Sequence, residues 1–218
     1  MGDKEMMNHP DLKLTRIGIF ADGGFFAEVS DYYRYHHFQK KRLSIEGIRS
    51  FVRQEAAKQE QVDMKFCRVV DFHYFRGRFS ATEAQKRDKL FAERQFEDVL
   101  MKAGVVTHYF PRGGGAEKGI DVWLALEAFE LAIYKQFNVL VLIAGDSDYV
   151  PLVRKLNTQG ARVMLLAWDF SYQTDSGETR ETRTSQTLID EVTYPILMHN
   201  LIEDRSRGKD ISMLFVPS

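Results

Sequence analysis

The stretch VLVLIAGDSDYVPLV, residues 139–153, decides how the rest of the chain is read. Val139 to Ala144 is an unbroken apolar run rich in branched side chains, the pattern of a strand buried on both faces. It stops at Gly145, and Asp146 and Asp148 follow with only Ser147 between them. From Tyr149 the spacing turns helical, with Val150, Val153 and Leu156 at helical offsets. A strand, a tight acidic turn and a helix place both carboxylates at the carboxyl end of a central strand, where open parallel sheets bind their ligands. Asp148 is a good N-cap residue, and Pro151 suits a first helical turn. Capping leaves Asp146 unexplained. Two carboxylates this close repel unless a cation or a shared proton offsets them, which favours a cation over capping alone.

The same junction recurs upstream. Arg16 to Ala21 reads as a short buried strand that ends in Asp22-Gly23-Gly24, where the glycines permit a tight turn and close approach of a ligand. Asp121 opens an apolar helix, Val122 to Tyr134, which is expected to be buried around most of its circumference. A carboxylate at a helix start also interacts favourably with the helix dipole, so a structural role for Asp121 is available. Capping explains one such junction, whereas three at one end of a sheet would pool charge in one pocket. Oxygen-rich pockets of that kind suit Mg²⁺ or Mn²⁺. No histidine, cysteine or serine arrangement in the sequence offers a competing covalent mechanism.

Composition sets the outer bounds. A chain of 218 residues with 44% hydrophobic content suits one α/β domain with a real core. A net charge of −1 supplies no global basic field, so nucleic acid would have to be held by local patches. The single cysteine, Cys67, forms no internal disulfide, reads as a buried structural thiol, and fits a reducing cytoplasm. No stretch resembles a signal peptide or is long enough to span a membrane.

Strands and helices alternate along the rest of the chain, which implies a mostly parallel sheet with helices on both faces. Residues 1–15 read as a flexible N-terminus, 16–201 as the domain and 202–218 as a tail. Ile45, Ile48, Phe51 and Val52 share a helical face, Lys65 to Val70 reads as the second strand, and Thr82 to Ala103 as one helix. Asp71 to Arg78 alternates aromatics and ends in Arg76-Gly77-Arg78, and aromatics beside guanidinium groups suit single-stranded nucleic acid. A packed core with solvated arginines explains the same pattern equally well. The adjacent His36 and His37 would point apart on a helix, which favours packing over a zinc site. The glycine-rich loop 111–119 lacks the order of a nucleotide P-loop, although its Lys118 could pair with Asp121 or reach a phosphate. Residues 171–187 are polar, without apolar periodicity, and exceed the usual loop length of roughly 12–15 residues. The apolar end, Ile211 to Val216, would dock on its own domain or form a homo-oligomer contact.

Three segments, Phe20-Ala21-Asp22-Gly23-Gly24-Phe25-Phe26, Lys118-Gly119-Ile120-Asp121-Val122 and Gly145-Asp146-Ser147-Asp148-Tyr149, resemble the signature motifs of NYN domains, in the family's order. The closest branch is the LabA-like (DUF88) group within the PIN-like nuclease superfamily, and Ser185 to Leu197 looks like the family's closing helix. The resemblance implies a PIN-like three-layer sandwich and a Mg²⁺- or Mn²⁺-dependent ribonuclease site. It carries over Asp22, Asp121, Asp146 and Asp148 as metal ligands and catalytic cluster. On that reading Ser147, Lys118, Arg76 and Arg78 would contact single-stranded RNA. Phe25 stands where many relatives have asparagine, and Thr193 where the family has an aspartate. The alternatives are a non-catalytic RNA-binding module that has lost turnover and a small-molecule phosphohydrolase. A receiver-like phosphoacceptor is disfavoured, because no lysine follows a late strand in the required way.

Overall fold

Strand β1 (Thr15–Asp22) lies inside the sheet because its side chains are apolar on both faces, and all but Arg16 and Asp22 are buried. The structure, a computed structural model, describes residues 14–112, 119–174, 176–204 and 211–216. After β1 come α1 (Gly23–Asp31), a π-helical turn (Tyr32–His36), α2 (Ile45–Gln59), β2 (Cys67–Arg78), α3 (Ala81–Lys86), α4 (Leu90–Lys102) and β3 (Val106–Pro111). Next are α5 (Ile120–Lys135), β4 (Val139–Ile143), a 3₁₀ turn (Ser147–Tyr149), α6 (Val150–Thr158) and β5 (Arg162–Ala167). The chain continues through β6 (Asp169–Gln173), β7 (Thr179–Arg183), α7 (Gln186–Glu191), β8 (Tyr194–Leu197) and α8 (Met198–Glu203).

Six strands form a sheet in the order β3-β2-β1-β4-β5-β8, and every pairing in it is parallel. Parallel neighbours need crossover connections, and the helices that supply them cover both faces. On one face Ile17, Ile19 and Ala21 of β1 pack with Phe26 and Val29 of α1 and Ile48 and Val52 of α2. On the other, Phe20, Leu140 and Leu142 pack with Leu124 and Ala128 of α5 and Val153 and Leu156 of α6. The two separate clusters make the expected three-layer α/β sandwich.

Several expected elements differ in detail. Helix 82–103 is two helices, α3 and α4, because Asp88 takes a left-handed φ of 54° between them. The second strand runs past Val70 to Arg78, with a register shift opposite Ile17/Gly18. The polar segment 171–187 holds most of an antiparallel hairpin, β6–β7, whose Phe170 and Tyr172 rings lie against Tyr32. Helix α5 buries one stripe (Ile120, Leu124, Ala128 and Ala132) and exposes Val122, Leu126, Ile133 and Tyr134, so the apolar circumference is only half used. The closing helix of residues 185–197 is the short α7 followed by β8, an edge strand that accommodates Pro195. His36 stacks on Tyr172 while His37 is buried against Tyr33, so the two rings part as expected. Cys67 is buried, and burial raises its thiol pKa above the ordinary value.

The C-terminal segment docks on its own chain. Ile211, Leu214 and Phe215 are buried, Ser44 N–H donates to the Leu214 carbonyl, and Val216 N–H donates to the Arg42 carbonyl. Gly47 lets it sit flat on α2, because a Cβ there would fall 1.9 Å from the Met213 oxygen.

Candidate functional site

The parallel register aligns the carboxyl ends of β1 and β4, since Ala21 pairs with Ile143. Asp22 is the last residue of β1 and the N-cap of α1. Its Oδ1 accepts from the N–H groups of Gly24 (2.8 Å) and Phe25 (3.2 Å). Gly23 is required by space, since a Cβ there would lie 2.6 Å from the Phe75 carbonyl oxygen. Asp121 sits in the first turn of α5, after Gly119 at a left-handed φ of 97°.

Tyr149 joins these two acids. Its hydroxyl lies 2.9 Å from Asp121 Oδ1 and 3.4 Å from Asp22 Oδ2, so the shorter bond takes the single proton. Burial first, then the charges of Asp22 and Asp121, push the phenol pKa well above its ordinary value. Tyr149 therefore stays protonated, donates to Asp121 and lies beside Asp22, two carboxylates from distant parts of the sequence.

Asp146 and Asp148 exchange the roles expected of them. Asp146 caps the 3₁₀ turn, accepting from the Asp148 N–H at 3.0 Å and the Ser147 hydroxyl at 3.3 Å. Asp148 lies within the turn, and residues 146–148 are exposed. All four aspartates thus stand on the loops at the carboxyl edge of β1 and β4 and at the start of α5. They do not form a closed shell. Among the described residues, the group of three or more acids, histidines or cysteines whose ligand atoms all lie within 4.8 Å is His73, His108 and Glu127.

Phe25 sits behind the turn that carries Asp146. Its ring packs edge-on to Trp168 and against Gly145, where a Cβ would come within 2.7 Å of it. Thr193 is structural, its hydroxyl accepting from the Val163 N–H at 3.3 Å. Lys118 lies outside the described residues.

Beside the rim runs a groove of about 400 Å³ between α1, β2 and α4. Arg34, Arg76, Arg78, Lys89, Tyr74 and Tyr109 help to line it. Tyr74 couples groove to rim, donating to the Gly23 carbonyl at 3.2 Å and lying 3.4 Å from an Arg76 guanidinium nitrogen. Arg78 is engaged within the groove wall, bridged to Glu97 at 2.7 Å and stacked over Tyr109.

Residues 16–198 match the NYN domain family. The chain belongs to that family. The matched range includes Asp22, Asp121, Asp146 and Asp148, and the family lies within the PIN-like nuclease superfamily. A crystal structure of a protein of unknown function from Vibrio parahaemolyticus superposes with a TM-score of 0.52 at 20% identity, covering 86% of this chain and 94% of that one. At that identity the likeness speaks to the fold, and the six-stranded sheet flanked by helices is consistent with a PIN-like fold. No curated protein is significantly similar to the chain. No helix among the described residues is long and apolar enough to cross a membrane.

Sequence reasoning missed Tyr149 as a site residue. Its place directly after Gly-Asp-Ser-Asp marks it as near the turn, but not that its hydroxyl meets Asp22 and Asp121.

Proposed function

We propose that this NYN domain hydrolyses phosphodiester bonds of single-stranded RNA with Mg²⁺ or Mn²⁺ held at Asp22, Asp121, Asp146 and Asp148. The observation that carries the reading is the Tyr149 hydroxyl between Asp22 and Asp121. It places carboxylates from two motifs within one side chain's reach, beside the acidic turn of the third. Such an ion, when bound, lowers the pKa of a coordinated water and stabilises charge on the phosphorus oxygens.

The protein's residues supply the rest. Tyr149 holds Asp22 and Asp121 in place and, staying protonated, cannot itself act as a base. The Asp148 N–H and Ser147 hydroxyl fix one oxygen of Asp146, which orients the other. Arg76, at the junction of groove and rim, would hold a phosphate next to the scissile one, while Arg78 shapes the wall through Glu97. Aromatic and basic side chains in one groove favour a single strand, whose bases can stack. Lys118 would neutralise a phosphate oxygen. The buried free Cys67 is in keeping with work in the cytoplasm.

The test is cleavage of an end-labelled single-stranded RNA. Turnover should require Mg²⁺ or Mn²⁺ and fall at least about a hundredfold in Asp146→Asn, in line with loss of a positioned group. Binding without cleavage in either ion would show that the domain binds RNA but does not cut it, a reading that Phe25 favours. It puts an apolar ring where many relatives carry an amide. Release of phosphate from mononucleotides, with oligomers left intact, would identify a phosphohydrolase instead.

A further inference from the structure

We propose that His73, His108 and Glu127 bind a transition-metal ion of the Zn²⁺ class, at a site separate from the aspartate rim. The parallel register of β2 and β3 pairs Phe75 with His108, so His73, Phe75 and His108 share the face covered by α5. Both Phe75 and His108 meet Trp123 of α5 edge-on. Glu127, one helical turn beyond Trp123, completes the set, with one ligand atom from each residue within 4.8 Å of the others. It lies six residues past Asp121, or roughly 9 Å farther along the helix.

The two rings turn nitrogens toward each other at a spacing that either a shared proton or, after a small parting, a shared ion bridges. His73 Nδ1 and His108 Nε2 are 2.9 Å apart. The other nitrogen of His73, Nε2, is buried without a hydrogen-bond partner and faces Asp71 Oδ1 at 3.7 Å. A lone pair facing a carboxylate is repulsive, which puts the proton on Nε2 and leaves the Nδ1 lone pair toward His108 Nε2. Asp71 is in turn fixed by Lys135 at 2.7 Å. A metal-bound histidine usually donates its other ring N–H to a carboxylate, and a small shift of the His73 ring toward Asp71 would close the 3.7 Å gap to such a bond. Tetrahedral bonds of about 2.0–2.1 Å separate ligand atoms by roughly 3.4 Å, so the rings would part by a few tenths of an ångström on binding. Two imidazoles and a carboxylate select Zn²⁺ or Co²⁺ over Mg²⁺. The ion would tie the sheet-edge strand β3 to α5, the helix that carries Asp121.

The metal-free full chain titrated with Co²⁺ tests this, with the visible absorption of a low-coordinate cobalt ion as readout. One Co²⁺ per chain should bind, yield to Zn²⁺ and resist a large excess of Mg²⁺. The band should vanish in His108→Ala, weaken in Glu127→Gln, lose about tenfold in affinity in Asp71→Asn, and persist in Asp146→Asn. Glu127→Gln alters a half-buried helix position and keeps the comparison sound if His108→Ala misfolds. No band in the wild type, a band unchanged in both His108→Ala and Glu127→Gln, or a band lost in Asp146→Asn would each overturn the proposal.

Discussion

Tyr149 shows how much one hydroxyl can organise. Asp22 and Asp121 would repel each other at the end of the sheet, and the phenol offsets part of that repulsion by donating its one proton to Asp121 from a place beside Asp22. Tyr149→Phe keeps the ring in its buried slot and removes the donor. A hydrogen bond to a charged group contributes about 1.5–3 kcal/mol, so the variant should melt roughly 5 °C lower. Added Mn²⁺ should narrow the gap, because a cation takes over the offset. Thermal melts with and without Mn²⁺ check both expectations, and a gap that widens with Mn²⁺ would count against the metal reading. The acids themselves were legible in the sequence because each follows a strand or opens a helix. Tyr149 was not, since nothing in a local pattern says which hydroxyl will face a carboxylate more than a hundred residues away. Phe25 was legible as a departure from the family, but its direction was not, because only packing turns it toward Trp168 and Gly145.

At the scale of elements, the contact between α2 and the C-terminal segment is unusually dependent on one missing side chain. Gly47→Ala would press a methyl group against the Met213 carbonyl and lift Leu214 and Phe215 from their places in the core. Exposing part of those side chains should cost between about 2 and 5 kcal/mol. Urea unfolding should show the loss, and limited proteolysis should trim the end of the variant before that of the wild type. The sequence left open whether this segment docks at home or on another chain, because an apolar run carries no address. Strand β2 was underestimated for a related reason. Phe72 and Tyr74 are buried on one face, His73 and Phe75 on the other, so the run has no polar side to mark it as a strand. The β6–β7 hairpin was missed for the opposite cause, since its strand Thr-Arg-Glu-Thr-Arg is mostly exposed and shows no apolar alternation. His73 and His108 are joined only by the register of two strands, which neither strand states alone.

For the whole molecule, a buried and a half-buried tyrosine set an alkaline limit. Burial first, then the charge of Glu97, pushes Tyr109 up to about 12, and burial raises Tyr33 as well. The unfolded chain would release these protons near the ordinary value of about 10. Stability from both groups is therefore fully present below pH 10 and is lost as the pH rises from there through about 12. Urea midpoints measured at pH 8, 9, 10.5 and 11 should be flat at first and then fall, less steeply in Tyr109→Phe.

The position of β1 has a further consequence for how the chain reaches this state. Ile17 must find both Val69 and Val139 before either edge of its strand is satisfied. The second of these neighbours leaves the ribosome long after the first. Until then a largely apolar strand is open to strangers, so nascent chains stopped before β4 should stick to chaperones or to one another. Refolding should be slow for a domain of this size, because its central seam closes across the longest loop between paired strands of the main sheet.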